Sequence, residues 1–584
     1  MEVQPSLFAT AMSVIRRQTP ALFLFSCLVN LLLLVSAIYM LQVYDRVLSS
    51  GSMDTLLWLT VAALAAIAIY GMLEQARRLI LGRISYWLES ELSGPVIRRS
   101  MQARLTDAGP EAGLKDIADL RGFIGGEGVL AFLDAPWAPV FIGFIWLVHP
   151  ALGTLAVAGA VILFVGALAN DVLTRTPQQK VGIALRRSHT AAQQYVDSAE
   201  TITPLGMTGA VLARWQERQR GARADQQRLA ETTAAILSTS RALRIGLQVM
   251  ILGLGAYYVL QGDLTPGAMI AASIILGRAL APIERSIGAW RSFISARTAY
   301  RNLECLFAAA RAPAAEAVRL PRPEGRLALE NVHYLAPQSR DPILKNISFH
   351  LEPGQTCAII GPSGSGKSSL CRLVVGTWNP SHGHVRLDGA EVSAWEPEDL
   401  GQYLGYLPQQ VELFPGTVAE NIARLREVDS AEVIGAAKLA GVHELVLRLP
   451  DGYQTDVGLH GSRISLGQRQ RLGLARALFG DPSLIVLDEP NSNLDSEGDL
   501  ALMKALIHLK ERGRTVLLVT HQAAALQTAD KLLVVKEGSV ATFGDRDQVL
   551  KMITGEGRQI RVAAGSASDL SAGGLRPTLV PAAH

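Results

Sequence analysis

The strongest constraint on this chain is a run of more than 20 residues without a charged side chain, at positions 21–43. A bilayer core of about 30 Å is crossed by about 20 helical residues, so this run predicts a membrane-spanning helix. Five further apolar runs follow in the first half of the chain, at 55–73, 129–148, 151–169, 245–260 and 264–282. We therefore predict a transmembrane domain of six helices over residues 1–310.

Composition agrees with a membrane protein that has a substantial soluble part. Apolar residues make up 49% of the chain and charged residues 18%, against about 25% charged in ordinary soluble domains. These values exclude a disordered chain, a collagen and a simple soluble enzyme. The formal net charge of +3 is too small to indicate a nucleic-acid partner.

The cysteines are scattered without the spacing of a metal site or a disulfide framework. We expect them to be ordinary buried thiols in a reducing compartment. They are Cys27, Cys305, Cys357 and Cys371.

Basic residues predict the orientation of the spans. They are concentrated in the two long segments after the second and fourth spans, whereas only Arg46 lies in the three short connections. The positive-inside rule then places both termini and both long segments in the cytoplasm. We expect these segments to be helical over 116–123 and 178–219, with short helices near 116–123 and 205–212 as candidates for contact with the second domain. The first run is too long for a signal peptide, and another span follows at once.

The second half of the chain has the sequence pattern of a soluble α/β domain. Residues 311–325 are rich in Ala and Pro and predict a linker. Residues 326–557 contain short apolar runs separated by helical stretches, and residues 558–584 predict a disordered tail. The predicted strands are 327–333, 356–360, 404–407, 484–487 and 515–519.

A complete phosphate-binding loop lies between the second of these strands and a predicted helix. It reads Gly-Pro-Ser-Gly-Ser-Gly-Lys-Ser from Gly361 to Ser368. Glycines allow backbone N–H groups to surround phosphate oxygens, and the helix N-terminus adds its positive dipole end. Lys367 would reach the terminal phosphates, and Ser368 would ligate Mg²⁺. A Gly/Ser-rich loop without a role is the alternative, and the strand–loop–helix context disfavours it. The predicted loop residues are Gly361, Ser363, Gly364, Ser365, Gly366, Lys367, Ser368 and Ser369.

Two carboxylates end the predicted strand at 484–487. Asp488 would hold Mg²⁺ opposite Ser368, and Glu489 is placed to accept a proton from an attacking water. An acidic pair that only caps a strand is the alternative, and the upstream phosphate loop weighs against it. His521 follows the strand at 515–519, at the sheet edge where ligands bind, and we expect a γ-phosphate contact.

Together these motifs resemble the nucleotide-binding domain of an ABC transporter. The resemblance implies that Tyr334 stacks on adenine, although a strand-end tyrosine without that role would look the same. It implies that Gln409 belongs to the Mg²⁺ site and links it to the membrane domain. Ile-Ser-Leu-Gly-Gln at 464–468 resembles the signature, and Ser-Asn-Leu-Asp at 492–495 resembles the D-loop. The further nucleotide-binding residues implied are Ser465, Gly467, Gln468 and Asp495.

Two positions depart from the family pattern. Leu466 replaces the first glycine of the signature, where it restricts backbone freedom and is expected to crowd a closed interface. Ser465 and Gly467, which in the family contact the γ-phosphate of ATP held by the partner chain, are retained. Leu459 stands where exporters usually carry a glutamate, so the acidic contact toward the cytoplasmic helices is absent.

The first half resembles the type I secretion ATPases, and most closely their protease, lipase and S-layer exporter branch. The similarity lies in the segment from Tyr39 to Leu48, in the segment from Leu133 to Pro139 and in Asp-Glu-Pro-Asn-Ser-Asn-Leu-Asp at 488–495. The first span begins about 20 residues into the chain, so we expect no N-terminal peptidase-like domain.

Two polar residues within the spans have open interpretations. An intramembrane Asp134 is a functional hypothesis by default. The alternative is that it lies at the membrane–water boundary, with Pro136 and Trp137 as interface anchors. For Asn30 a helix–helix hydrogen bond is favoured over a substrate contact.

The expected architecture is an α-helical six-span exporter domain followed by an α/β P-loop nucleotide-binding domain. The resemblance implies a homodimer in the bacterial inner membrane that uses ATP and Mg²⁺ to export an unfolded protein with a C-terminal signal. It implies a periplasmic membrane-fusion adaptor, an outer-membrane channel and surrounding membrane lipid, and a cargo of the calcium-binding repeat class would suit it. The alternatives are an exporter of lipid or small molecules and a weakly hydrolysing nucleotide-binding regulator.

Overall fold

The computed structural model describes residues 7–106, 113–309, 320–336, 339, 341–458 and 461–553. The predicted tail at 558–584, most of the predicted linker at 311–325 and the departure at Leu459 lie outside these residues. The described chain divides into a helical unit before residue 310 and an α/β unit after it. This confirms the predicted fold class, and each unit is considered by itself.

The helical unit contains no strand in its described residues. Short non-α turns interrupt it, a π-helix at Val43–Val47 and a 3₁₀ turn at Ala135–Trp137. Its α-helices are α1 (Leu7–Leu32), α2 (Val35–Gln42), α3 (Leu48–Ser50), α4 (Met53–Thr106), α5 (Leu114–Ile124), α6 (Glu127–Asp134), α7 (Ala138–Val148), α8 (Pro150–Asp197), α9 (Ala199–Ile202), α10 (Thr208–Gln261) and α11 (Pro266–Ala309).

Six helical segments are long and apolar enough to cross a membrane, which confirms the predicted number among the described residues. Several are far longer than a bilayer requires. Helix α4 has 54 residues, which corresponds to about 80 Å at 1.5 Å per residue. The polar ends therefore continue as helix beyond the apolar runs, as predicted for the segments between the spans.

One predicted helix is interrupted. The sequence predicted helix over 178–219, with a short helix near 205–212, whereas α8 ends at Asp197 and α10 begins at Thr208. The separate short helix predicted near 205–212 is wrong: residues 203–206 form a turn, α10 begins at Thr208, and the short helix α9 lies earlier, at Ala199–Ile202. Gly206 has a left-handed φ of +65°, and Pro204 lacks a backbone donor, so the two residues favour the turn between α9 and α10.

The π-helix anchors the start of the last long helix. Asp45 accepts hydrogen bonds from the Thr265 hydroxyl at 2.6 Å and from the Gly267 backbone N–H at 2.8 Å. A carboxylate at a helix N-terminus satisfies free N–H groups and the positive end of the dipole. The segment from Tyr39 to Leu48 therefore ties the end of the first span to α11.

A buried carboxylate joins three other helices. Asp134 is only 3% exposed, and its Oδ1 accepts from Arg77 Nη1 at 2.7 Å, Ser26 Oγ at 2.8 Å and Asn30 Nδ2 at 3.0 Å. The other oxygen lies 3.6 Å from Arg285 Nη2 on α11. Asp134 is thus held inside the helical unit, and Asn30 makes the predicted helix–helix hydrogen bond.

The cysteine prediction is only partly correct. Cys357 and Cys371 are buried in the α/β unit, but Cys27 is half-buried and Cys305 is exposed. Burial raises the pKa of Cys357 to about 12, so its thiol stays protonated and unreactive at neutral pH.

The α/β unit contains two sheets. A six-stranded sheet has the order β10–β9–β3–β8–β7–β6, and a four-stranded antiparallel sheet has the order β2–β1–β4–β5. Strands β6, β7, β8, β3 and β9 pair in parallel, so the loops after β3, β7 and β8 meet at one edge. The strands are β1 (Leu327–Tyr334), β2 (Leu344–Leu351), β3 (Thr356–Ile360), β4 (His382–Leu387), β5 (Ala390–Glu391), β6 (Leu404–Leu407), β7 (Leu484–Asp488), β8 (Thr515–Val519), β9 (Lys531–Lys536) and β10 (Ser539–Asp545).

Helices cover the larger sheet. The β3, β7 and β8 strands are almost entirely buried, as is typical of parallel strands covered on both faces. The helices are α12 (Lys367–Val374), α13 (Pro397–Tyr403), α14 (Val418–Ile422), α15 (Ser430–Leu439), α16 (His443–Leu447), α17 (Leu466–Leu478), α18 (Ser496–Glu511) and α19 (Ala523–Thr528). A further helical segment occupies 546–553.

The end of the predicted linker belongs to the α/β unit. Arg322 Nη2 donates to the Asp481 carbonyl at 2.9 Å, and the Gly325 N–H donates to Asp388 at 3.1 Å. Leu320 packs against the hydrophobic core. Residues 320–325 are therefore attached to the surface of this unit and do not act as a free connection.

The Asp134 cluster yields a stability prediction. Asp134→Leu removes the carboxylate and leaves Arg77 buried with only Glu74 as a counter-ion. We therefore expect the free energy of unfolding to fall by about 3–5 kcal/mol. Asp225→Leu, at an exposed position on α10, is the matched control. The measurement is thermal unfolding of the detergent-solubilised protein. Equal unfolding temperatures for the two variants would contradict the role of the cluster, whereas adding Arg77→Met to Asp134→Leu is expected to restore stability.

Candidate functional site

The phosphate loop connects β3 to α12 at the carboxyl edge of the parallel strands. A Cβ on Gly361 would lie 2.1 Å from the Val535 carbonyl oxygen, so no side chain fits there. Gly366, directly before α12, has φ +100°, and a Cβ on it would meet Leu344 at 2.6 Å. The two glycines therefore let the loop curl against β9 and β2 with its backbone free to approach a ligand.

Lys367 is folded back onto this loop. Lys367 is only 6% exposed, and its Nζ donates to the carbonyls of Gly361 and Pro362 at 2.8 and 2.9 Å. These carbonyls hold the ammonium group across the loop, and its contact with phosphate stays a prediction. Ser365 Oγ is also buried and has no hydrogen-bond partner among the described residues.

Asp488 ends β7 as a buried carboxylate beside the loop. Burial raises its pKa, while a hydrogen bond from Ser368 acts in the opposite direction. Its Oδ1 is buried and has no hydrogen-bond partner within the described chain. A desolvated carboxylate oxygen next to a serine hydroxyl matches the hard oxygen ligands that Mg²⁺ takes, so these residues fit the ion.

Glu489 follows with a left-handed backbone at φ +51°. A non-glycine residue in this region is strained by about 1–3 kcal/mol, a cost that is concentrated at functional sites. Gln409 Nε2 donates to Glu489 Oε2 at 3.0 Å, and His521 Nε2 lies 3.9 Å from Oε1. The structure thus brings Gln409 and His521, which follow two other strands, to the carboxylate of Glu489 at the end of β7.

Tyr334 lies at the end of β1 and is 6% exposed. Its ring stacks almost parallel on Trp378, with the centroids 4.7 Å apart. Arg372 lies over the Trp378 ring at 4.7 Å. Stacking of Tyr334 on adenine stays a prediction, and the Trp378 partner, which the sequence analysis missed, fixes the orientation of the tyrosine ring.

The signature segment forms the start of α17. Ser465 is the N-cap and makes a capping box with Gln468, whose backbone N–H donates to Ser465 Oγ at 3.3 Å and whose side chain accepts from the Ser465 N–H at 3.1 Å. Leu466 is the first helical residue and is 63% exposed. This helical backbone is open to leucine, and the effect of the missing glycine on a closed interface stays a prediction. Crowding by its side chain stays a prediction.

The D-loop lies against the signature. A Cβ on Gly467 would come within 3.0 Å of the Asn493 carbonyl oxygen, which explains the retained glycine. Asp495 is the N-cap of α18: it accepts from the Gly498 N–H at 2.9 Å and pairs with Arg471. The hydrogen bond from the Gly498 N–H is the largest cause that lowers the pKa of Asp495, and the hydrogen bond from Arg471 is the next largest. Its carboxylate is therefore occupied within the chain, and a contact with nucleotide stays a prediction.

Models of two families match the chain. That described as "ABC transporter transmembrane region" matches residues 20–280, and that described as "ABC transporter" matches residues 344–492. The type I secretion system ATP-binding protein PrsD of Rhizobium meliloti (strain 1021) is 40% identical over 90% of this chain and 91% of its own length.

More distant similarities are also to ABC-type proteins. The cyclolysin secretion/processing ATP-binding protein CyaB of Bordetella pertussis is 28% identical over 93% of this chain and 77% of its own length. Among solved structures, a bacterial Atm1-family ABC exporter with ATP bound has a TM-score of 0.77 at 21% identity, and covers 96% of this chain and 100% of its own. That similarity supports the fold.

The arrangement around Glu489 predicts its effect on ATP turnover. Glu489→Gln keeps an acceptor for Gln409 but removes the base, so we expect turnover to fall by at least about 100-fold while ATP binding is retained. Lys367→Ala is expected to weaken ATP binding instead, because a point charge on the phosphates is lost. Glu427→Gln, at an exposed position of the same unit, is the control. Near wild-type turnover in Glu489→Gln would show that Glu489 is not the base.

Leu466 can be tested with two substitutions. If its side chain crowds the closed interface, both Leu466→Ala and Leu466→Gly raise ATP turnover, and to the same extent, because the backbone is already helical. Leu500→Ala removes an equally exposed leucine (63%) from α18 and is the control. Unchanged rates in both variants would show that crowding does not limit closure, and a gain in the glycine variant alone would implicate the backbone.

Proposed function

The chain belongs to the ABC transporter family and couples ATP hydrolysis to transport across a membrane, and from this premise we propose that it energises a type I secretion system. The 40% identity to a type I secretion ATP-binding protein over 90% of the chain carries this proposal. The site supports it, because the residues needed for hydrolysis are present and brought together.

ATP would bind as substrate at the phosphate loop, with its phosphates near Lys367. Ser368 and Asp488 would hold Mg²⁺, and Gln409 would also belong to this Mg²⁺ site. The ion would neutralise charge on the phosphates. Burial of Asp488 raises its pKa, so at acidic pH protons compete with the ion for the carboxylate.

Hydrolysis would then depend on Glu489. Its carboxylate can accept a proton from the attacking water, and the Gln409 amide holds one of its oxygens. His521 is 57% exposed and lies on the other side of this carboxylate, from where it can reach a γ-phosphate.

A second copy of the chain would complete each site. Ser465 and Gly467 lie at an exposed helix N-terminus, which is suited to contact a phosphate held by another subunit. The proposed assembly is a homodimer with twelve spans and two ATP sites, in the bacterial inner membrane, with termini and ATPase domains in the cytoplasm. The basic segments between the spans support this orientation.

The proposed partners are a periplasmic membrane-fusion adaptor and an outer-membrane channel. The proposed cargo is an unfolded protein with an uncleaved C-terminal signal, because the gap between two six-span halves is unsuited to a folded domain of about 13 Å radius of gyration. Calcium-binding repeats suit such a cargo, since they bind Ca²⁺ too weakly to fold in the cytosol.

An exporter of lipid or small molecules is the main alternative. A deletion strain separates the two: loss of proteins from the medium supports secretion, whereas changed lipid composition with an unchanged set of secreted proteins contradicts it. Complementation with Glu489→Gln tests whether export requires ATP hydrolysis. A weakly hydrolysing regulator is disfavoured because Glu489, Gln409 and His521 are assembled as one group.

The location of the export signal can be tested by fusion. The last ~60 residues of a cargo, a length on the scale of a small domain, are expected to direct export of a slowly folding passenger. A rapidly folding passenger is expected to block export. The measurement is passenger in the medium of wild-type and deletion strains. A requirement for an N-terminal leader would contradict the proposal.

A further inference from the structure

The helical unit contains a cavity of about 820 Å³ whose charges have no role in the site described above. It lies between the α5–α6 connection and helices α10 and α11. Its volume is within the range of about 300–1,000 Å³ that is typical of ligand sites. Six charged residues line it: Arg241, Arg244, Arg278, Arg285, Glu127 and Glu284.

The positive charges in this lining exceed the negative ones. Arg241 and Arg244 share one counter-ion, Glu284, at 3.2 and 2.7 Å. Arg285 lies 3.6 Å from Asp134, whose Oδ1 is already paired with Arg77. The glutamates therefore do not neutralise the four arginines, and the cavity attracts anions.

Arg278 is the strongest anchor for an anion. It lies in the apolar run 264–282, where a charged side chain is expensive unless it faces a cavity or a partner. Its side chain is exposed, and it makes no ion pair in the described part of the chain. A charge placed there without a counter-ion indicates that the counter-ion comes from a ligand.

The cavity lies at the ends of three spans. Glu127 begins the third span, Arg244 directly precedes the apolar run 245–260 of the fifth, and Arg278 is near the end of the apolar run 264–282 of the sixth. In the proposed orientation these are the cytoplasmic ends, where a cargo made in the cytoplasm would enter. Glycines at three lining positions, Gly122, Gly277 and Gly288, leave open space where a side chain would project, which suits an irregular chain.

We propose that this cavity binds carboxylate groups of an acidic, unfolded segment of the cargo, with Arg278 as the principal contact. This inference rests on the proposed function and names the chemistry of the cargo. An anionic lipid would present similar charge, but only Leu237 and Ile274 among the lining residues offer a long apolar side chain to an acyl chain. The lining therefore favours a polypeptide.

The test is a binding assay with the full-length protein in nanodiscs of neutral phosphatidylcholine. The probe is a fluorescent, unstructured peptide of alternating Gly and Asp, compared with Gly–Ser and Gly–Lys peptides of the same length. We expect only the acidic peptide to bind, with an affinity that falls as salt is raised. Arg278→Gln should weaken it about tenfold, and Arg278→Lys should retain most of it.

Arg297→Gln, at an exposed position of α11 outside the cavity, is the matched control and should bind like wild type. Basal ATP turnover equal to wild type shows that each variant is folded. Equal affinity for the three peptides, or equal loss in Arg278→Gln and Arg297→Gln, would overturn the proposal. Displacement of the peptide by phosphatidylglycerol, together with Arg278-dependent binding of that lipid, would overturn it in favour of a lipid site.

A secretion assay separates this inference from the proposed function. If the wild-type chain restores protein export and Arg278→Gln does so equally well for an acidic cargo, the cavity proposal is wrong and the secretion function stands. If the deletion strain secretes normally while the acidic peptide still binds through Arg278, the anion site stands and the secretion function is wrong.

Discussion

The buried carboxylate of Asp134 connects four helices of the helical unit. Asp134 accepts hydrogen bonds from α1 and α4 and forms an ion pair with Arg285 of α11, so three helices that are distant in sequence meet at one charge. Within lipid there is no hydrophobic force between helices, and polar contacts of this kind decide which faces meet. Removing one partner leaves the others buried without compensation, so the cluster specifies the arrangement even if it adds little net stability.

The ATPase unit uses a buried carboxylate in the opposite way. Asp134 has its oxygens engaged by neighbouring side chains, whereas Asp488 keeps one buried oxygen without a partner in the described chain. The first arrangement holds helices together, and the second leaves a carboxylate oxygen that could bind the proposed Mg²⁺. Glu489, one residue later, adopts a strained left-handed backbone that turns its side chain toward Gln409 and His521. The structural acid Asp134 and the two acids proposed for catalysis thus differ in what surrounds them.

The two units also differ in how their charges relate to function. In the ATPase unit the charges are gathered at one edge of a parallel sheet, where strand ends bring together loops from distant parts of the sequence. In the helical unit they line a cavity beside Asp134, and Arg285 belongs to both the cavity and the buried cluster. An anion bound at Arg285 would therefore compete with the carboxylate of Asp134 for this guanidinium group.

The sequence alone determined the six spans, the α/β domain, the phosphate loop and the Asp488–Glu489 pair, because each is a local pattern of hydropathy or of adjacent residues. It did not predict the break after Asp197 or the Trp378 ring under Tyr334. Only the tertiary structure decided that Asp134 is buried and paired with Arg77, and that four arginines share one cavity. Ser26 and Asp134 are 108 positions apart, and periodicity carries no information on which distant side chains meet, since that is decided by packing.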